Sequence, residues 1–103
     1  MDKYELQKRL KNFAWRCVGK YIHNQLIRAA FSSAANYRAA CIAQSRAAFV
    51  AKLSISFEEM DESSFWLENI LEGELITKEK AEPLYKESIE LTKILGSARK
   101  KSQ

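Results

Sequence analysis

The stretch that decides the fold is residues 26–49, LIRAAFSSAANYRAACIAQSRAAF. It is rich in Ala and Ser and contains neither Gly nor Pro, so it predicts a helix. Wound as a helix, it is apolar on nearly every side, and such a helix has to be covered on nearly every side. We infer that a second copy of the protein covers the sides that partner helices leave open. The alternative is a central bundle helix with an Ala-rich outer face.

The rest of the chain also has helical periodicity, because apolar residues recur at three- and four-residue spacing and sustained strand-type alternation is absent. The predicted helices cover about residues 3–18, 20–44, 47–72 and 78–98. Turns are predicted at Gly19 and at Ser45–Arg46, Thr77 is a plausible N-cap, and the basic tail from Arg99 is expected to fray. Short connections make neighbouring helices antiparallel. The predicted fold is all-α, an antiparallel up-and-down four-helix bundle formed as a single domain by residues 1–103.

Size and composition exclude several classes of protein. With 103 residues, of which 47% are hydrophobic, the chain is too apolar to be disordered. No apolar run reaches the length of a membrane span, and the N-terminus lacks the apolar core of a signal peptide, so we expect a cytoplasmic protein. Cys17 and Cys41 are expected to be free thiols in the core. Together with His23, they match no zinc-ligand spacing.

Charge is distributed unevenly along the chain. Residues 6–57 contain no Asp or Glu but nine Lys and Arg, whereas residues 58–74 contain seven acidic residues and no base. One interpretation is that the acidic segment pairs with basic positions, and antiparallel packing would bring Arg28 near Glu59 and Glu62. The other is that the basic half attracts an anionic polymer.

The first predicted helix has two different faces. Leu6, Leu10, Phe13 and Cys17 form an apolar stripe, and Tyr4, Lys8, Lys11 and Trp15 lie on the opposite side. A Trp beside lysines suits base stacking with phosphate contact, and it suits a subunit interface equally well. The candidate nucleic-acid-binding residues are Lys8, Arg9, Lys11, Trp15, Arg16 and Lys20.

The sequence offers no catalytic chemistry. Gly-rich phosphate loops are absent, and nothing supports a nucleophilic pair of Cys17 and His23. Glu59 and Glu62 could hold a metal only with a Glu-x-x-His motif, and His23 has no Glu three residues before it. We therefore predict no enzyme activity, no cofactor and no metal.

Three segments together resemble a known family. They are NQLIRAAFSSAANYRAA (24–40), SRAAFVAKLSISFEEMDESSFWLENIL (45–71) and EPLYKESIELTKIL (82–95). They are similar to the small four-helix-bundle proteins encoded in intervening sequences of bacterial 23S rRNA genes, a family that also includes the accessory variability protein of diversity-generating retroelements. The spacing from Phe13 to Gln25 is shorter than in the family, and the usual Leu-Pro turn is missing. This leaves either a short first helix or a tight turn at Gly19.

The resemblance implies a ring, typically of five subunits, and association with nucleic acid. The family's recurring polar and aromatic positions match Arg28, Asn36, Glu59, Glu62 and Trp66, which we interpret as structural residues in hydrogen bonds and ion pairs that fix helix register. The leading hypothesis is a non-enzymatic, homo-oligomeric scaffold that binds RNA or DNA non-specifically. The alternative is a pure protein–protein interaction scaffold with no nucleic-acid role.

Overall fold

Three α-helices make up the protein in the computed structural model, which describes residues 1–103. The first helix, α1, runs over Lys3–Cys41, the second, α2, over Arg46–Glu72, and the third, α3, over Lys78–Ser102. The all-α prediction is confirmed. The predicted number of helices is wrong, because the chain forms three helices rather than four.

The difference lies at Gly19, which is inside α1 and does not interrupt it. Neither a short first helix nor a tight turn forms there. Glycine in a helix costs only about 1 kcal/mol relative to Ala, and none of the glycines has a positive φ. Good helix formers on both sides, including Leu10 before this position and Leu26 and Ala29 after it, carry the helix through Gly19.

Side chains define the start of two helices. The Oδ1 atom of Asp2 accepts a hydrogen bond from the backbone N–H of Glu5 at 2.8 Å, and Ser45 Oγ accepts one from the N–H of Ala48 at 3.0 Å. These bonds satisfy donors that have no partner within the helix. The turn predicted at Ser45 is therefore confirmed. Thr77 occupies the predicted N-cap position, but its hydroxyl makes no capping bond.

The third helix is longer than predicted. Pro83 lies in its second turn, where it removes one backbone hydrogen bond of the helix, and the helix continues past it. The expectation that α3 ends at residue 98 and that its tail frays is wrong, because the helix extends to Ser102. Arg46 Nε donates to the carbonyl oxygen of Ser102 at 3.0 Å and ties this end to the start of α2.

Both outer helices pack on α2, and no Cα atom of α1 comes within 8 Å of a Cα atom of α3. The backbones of α1 and α3 are therefore not in direct contact, and α2 lies between them in the packing. The molecule measures 65 × 19 × 17 Å, with a radius of gyration of 17.7 Å. A compact domain of about 100 residues has about 13 Å, so the chain is strongly elongated.

Small polar side chains allow the helices to approach closely. Ser33 Oγ donates to the carbonyl oxygen of Ser56, and Ser56 Oγ donates to that of Ser33, both at 2.8 Å. Between α2 and α3, Ser64 Oγ donates to Ser88 Oγ at 2.9 Å. These serines are buried, so each hydroxyl needs its partner. These hydrogen bonds fix the position of each helix along its neighbour.

The hydrophobic core is small. Ile22, Leu67, Ile70 and Ala81 form its central cluster, and only 12 of the 103 residues are buried. Exposed large hydrophobic side chains outnumber the buried ones. The expectation that the two cysteines belong to the core is wrong. Cys17 and Cys41 are free thiols, but both are exposed, because Cys17 lies on the side of α1 opposite Trp15 and Cys41 lies at the end of α1.

We predict that Gly19→Ala stabilises the protein by up to about 1 kcal/mol, measured by urea unfolding, because Ala is the better helix former. A Cβ atom at this position would lie 3.4 Å from Leu75 Cδ2, which is a tolerable contact. Gly96→Ala is the matched control in α3. Its Cβ would approach Phe57 Cε2 to 2.9 Å, so no gain is expected there. Destabilisation by Gly19→Ala would indicate a turn at this residue.

We also predict that Ser33→Val destabilises the protein by about 1–3 kcal/mol, since it adds volume between two closely packed helices and removes buried hydrogen bonds. Ala35→Val, at an exposed position of the same helix, is the control and should change the free energy of unfolding by less than about 0.5 kcal/mol. Thermal or urea unfolding measures both. Equal effects of the two substitutions would refute the close packing at Ser33.

Candidate nucleic-acid interface

The N-terminal part of α1 extends past the rest of the molecule. We call residues 3–18 the overhang. All of its side chains are exposed, because α1 has 39 residues and its antiparallel partner α2 has 27. Gly19 lies against Leu75 of the α2–α3 loop, which marks the point where the overhang leaves the body of the protein.

The predicted nucleic-acid-binding residues meet at this point. An open cleft of about 910 Å³ lies between the overhang and the α2–α3 loop. Five of the six candidates line it: Lys8, Lys11, Trp15, Arg16 and Lys20. The sixth, Arg9, lines a neighbouring shallow depression together with Lys8 and Arg16. The other wall of the cleft carries Glu72 and Glu74, so the positive charge is concentrated on the side of α1.

Trp15 differs from the freely exposed aromatic that the sequence suggests. Its side chain is 38% exposed and lies close to Gly73, where an added Cβ would be 2.8 Å from Trp15 Cζ3. The indole thus packs against the C-terminal end of α2 and holds the base of the overhang in place. Only part of the ring remains available for stacking on a nucleic-acid base.

Arg28 lies where antiparallel packing predicts it. Its Nη1 atom donates to Glu59 Oε2 at 3.3 Å, and its Nη2 atom donates to Glu62 Oε2. Gln25 Oε1 accepts a further bond from Arg28 Nε at 3.3 Å. The ion pairs join α1 to α2 within one chain. They form on a half-exposed surface rather than in the core.

The two glutamates that share Arg28 differ in pKa. Burial raises the pKa of Glu59, as does the neighbouring Glu62 carboxylate, and the charge of Arg28 offsets this only in part. Burial also raises the pKa of Glu62, but the hydrogen bond and the charge of Arg28 lower it, and the net pKa lies below the ordinary value. Glu62 is therefore the main carboxylate partner of the guanidinium.

The other two predicted structural residues make fewer cross-helix contacts. Asn36 Nδ2 donates to the carbonyl oxygen of Ser32 at 2.9 Å, within α1. Trp66 packs edge-on against Tyr21 with ring centroids 6.1 Å apart, and its buried Nε1 atom has no hydrogen-bond partner. The residues that sequence reasoning missed are the paired serines Ser33–Ser56 and Ser64–Ser88. Their signal was present, since serines occur at core-facing positions of otherwise apolar stripes.

The structure holds no cluster of three or more His, Cys, Asp or Glu side chains that could bind a metal ion. None of the three helices has the length of apolar sequence that crossing a bilayer requires. The fold and the cleft define a small, elongated all-α protein with a basic helical extension.

Comparison with known proteins identifies the family. The family model of the 23S rRNA-intervening sequence protein matches residues 4–97, and the chain belongs to this family, as the sequence segments predicted. The crystal structure of a protein with unknown function from the S23 ribosomal protein family of Bacteroides thetaiotaomicron VPI-5482 is 40% identical, with a TM-score of 0.71. The match covers 77% of this chain and 70% of that one. A comparison with curated proteins finds no match.

We predict that Glu62→Gln destabilises the protein at pH 7 by about 0.5 kcal/mol after allowance for solvent screening, whereas Glu59→Gln has little effect or stabilises it. A carboxylate with a lowered pKa contributes stability above its ordinary pKa of 4.5, and this contribution is lost as the pH falls through the lowered value. A carboxylate with a raised pKa, such as Glu59, instead lowers the stability of the folded protein above that raised pKa, and this cost is lost as the pH falls to the ordinary value.

Urea unfolding at pH 7 and at about pH 2.5, below the ordinary range of a glutamate pKa, measures both variants. The cost of Glu62→Gln should shrink at the lower pH as the wild-type carboxylate becomes protonated. A larger loss for Glu59→Gln than for Glu62→Gln at pH 7 would reverse the assignment of the main partner.

Proposed function

We propose that the protein is a non-enzymatic, homo-oligomeric helical scaffold of the cytoplasm that binds RNA or DNA without sequence readout. The observation that carries this proposal is the group of basic side chains around the base of the overhang. Beyond Glu5, the overhang has no acidic residue. Its lysines and arginines are all exposed.

The dimensions of this surface suit a nucleic-acid backbone. Lys8 and Lys20 are separated by about 18 Å along α1 at the helical rise of 1.5 Å per residue. Over such a length, several phosphates of one strand lie within reach of Lys8, Lys11 and Lys20. Lysine is a flexible point charge that neutralises phosphate without defining a base. Affinity without sequence specificity follows from this chemistry.

Phosphate contacts rather than stacking support the binding. The indole of Trp15 is partly covered by Gly73, so stacking on it contributes less than on a free aromatic platform. Glu72 and Glu74 face the same cleft and repel a polyanion that enters deeply. The strand therefore follows the outer side of the cleft, along α1.

A second function rests on a different observation. The exposed apolar side chains of α1, among them Leu6, Leu10 and Phe31, favour a protein–protein interaction scaffold. This alternative needs no nucleic acid. The two functions are compatible, because the apolar and the basic side chains of the overhang occupy different faces.

We predict salt-sensitive binding of labelled single-stranded RNA and of duplex DNA, measured by fluorescence anisotropy over a series of salt concentrations. Lys8→Gln combined with Lys11→Gln should weaken binding at low salt. It should also lower the slope of log affinity against log salt by about 1.4 for single strands, since each phosphate contact contributes about 0.7.

The matched control is Lys80→Gln combined with Lys93→Gln. It removes two exposed lysines of α3 that take part in no ion pair and should leave the slope unchanged. Absence of binding at low salt ends the nucleic-acid proposal. An equal loss in both double variants would show that net charge, rather than the overhang, attracts the polymer.

A further inference from the structure

The cleft at the base of the overhang contains groups that phosphate binding does not use. Its volume of about 910 Å³ lies within the range of about 300–1,000 Å³ that is typical of small-ligand pockets. One wall carries the lysines of α1, and the other carries Glu72 and Glu74. Trp15 joins the two walls, because its ring lies against Gly73. An aromatic ring and two carboxylates therefore share one cavity with the bases.

Glu74 has a backbone conformation that residues with a side chain rarely adopt. Its φ of 52° makes it the only residue other than glycine with a positive φ. The end of α2 imposes this conformation. The N–H of Glu74 donates to the carbonyl oxygen of Leu71 at 3.2 Å, and the N–H of Leu75 donates to that of Ile70 at 3.0 Å. These two bonds form a Schellman motif, whose left-handed position is usually occupied by glycine.

The glycine of this loop lies one residue earlier, at Gly73. A Cβ atom there would lie 2.8 Å from Trp15 Cζ3 and 3.2 Å from the carbonyl oxygen of Asn69. The glycine is therefore required for the contact with the indole, and Glu74 occupies the position that the backbone itself favours for glycine. Unfavourable backbone conformations of this kind are concentrated at functional sites. This one points to a use for the carboxylate of Glu74.

The two carboxylates select one part of a nucleotide. They repel phosphate, but they accept hydrogen bonds from neutral donors. The donors on a nucleic-acid base are its ring N–H groups and its exocyclic amino groups, and glutamate accepts from the amino group of cytosine. These groups are available on an unpaired base, whereas in a duplex they are engaged within the stack. The acidic wall therefore suits an unpaired base and excludes the backbone.

Trp15 provides a surface for the same base. It lies on the face of α1 that also carries Lys8 and Lys11, because spacings of three and four residues share one side of a helix. A strand whose phosphates contact these lysines brings its bases to the level of the indole. The ring is 38% exposed, so one base can stack on its free part. A base held there lies beside the acidic wall.

We propose that the cleft receives one unpaired base with an exocyclic amino group from the bound strand. The ring of this base stacks on Trp15, and its amino group donates to the carboxylate of Glu74. This inference rests on the proposed nucleic-acid binding and identifies the ligand as a single strand. Since one base is recognised at a time, the preference concerns base composition and not sequence.

Fluorescence anisotropy with two labelled strands tests the preference. Oligodeoxycytidine and oligodeoxyuridine of equal length differ in an amino group and a carbonyl group at the same ring position. The wild type should bind the cytidine strand at least about fivefold more tightly. Glu74→Gly should abolish this difference and at the same time raise the urea midpoint of unfolding, because glycine adopts the left-handed conformation without strain. A purely structural role of Glu74 would change the midpoint alone.

The matched control is Glu79→Gln. Glu79 is exposed on α3 and does not line the cleft. Both substitutions remove one negative charge and should raise the affinity for every polyanion, so the ratio of the two affinities is the quantity to compare. The control should keep the wild-type ratio. Equal affinities in the wild type, or a ratio that Glu74→Gly leaves unchanged, would overturn the proposal.

Tryptophan fluorescence tests the stacking. The chain has two tryptophans, and Trp66→Phe leaves Trp15 as the only one. This substitution sacrifices no hydrogen bond, since the Nε1 atom of Trp66 has no partner. The cytidine strand should quench the emission of Trp15, and duplex DNA of the same length should not, although it also binds the lysines. Quenching by neither ligand, or by both alike, would contradict a stacked unpaired base.

The outcomes separate this inference from the proposed function. Salt-sensitive binding of both strands with equal affinity would overturn the base site and leave the phosphate contacts of Lys8 and Lys11 in place. Absence of binding to either strand at low salt would overturn both proposals.

Discussion

The close approach of α1 to α2 through Ser33 and Ser56 is the constraint on which the rest of the structure depends. Each hydroxyl donates to the carbonyl oxygen of the other serine, so both helices are fixed at one register and one distance. Sliding by one residue would leave buried hydroxyls without partners. This register places Arg28 beside Glu59 and Glu62. It also determines which residue of α1 lies level with the end of α2.

A fixed register combined with a continuous α1 produces the overhang. The first helix is 12 residues longer than α2, since it has 39 residues and α2 has 27. Its C-terminal end is set by the turn at Ser45, so the excess length appears entirely at the N-terminus. A break at Gly19 would allow this segment to fold back over the body of the protein. Because α1 continues through Gly19, the apolar side chains of the overhang stay exposed.

Much of this fold follows from sequence periodicity, and the parts that do not have identifiable reasons. The start of α2 and its pairing with α1 were predictable, because Ser45 is a strong N-cap and opposite charges lie at matching distances from the turn. The continuity of α1 was not predictable, because a single glycine changes the free energy of helix relative to turn by only about 1 kcal/mol. Exposure of Cys17 depended on that same balance. The partial covering of Trp15 could not be foreseen either, because it depends on where α2 ends relative to the overhang.

The basic residues of the overhang lie at two different positions relative to its apolar stripe. A helix rotates by about 100° per residue, so Lys8 and Lys11 point away from the stripe of Leu6, Leu10 and Phe13 while Arg9 and Arg16 lie beside it. Bases beside an apolar stripe select acidic partners along a protein contact, and bases on the opposite side remain hydrated and attract polyanions. Because residues 6–18 contain no acidic residue, the overhang is positively charged on more than one face. The proposed binding of a polyanion to the lysine face therefore leaves the apolar stripe free for the proposed protein–protein contact.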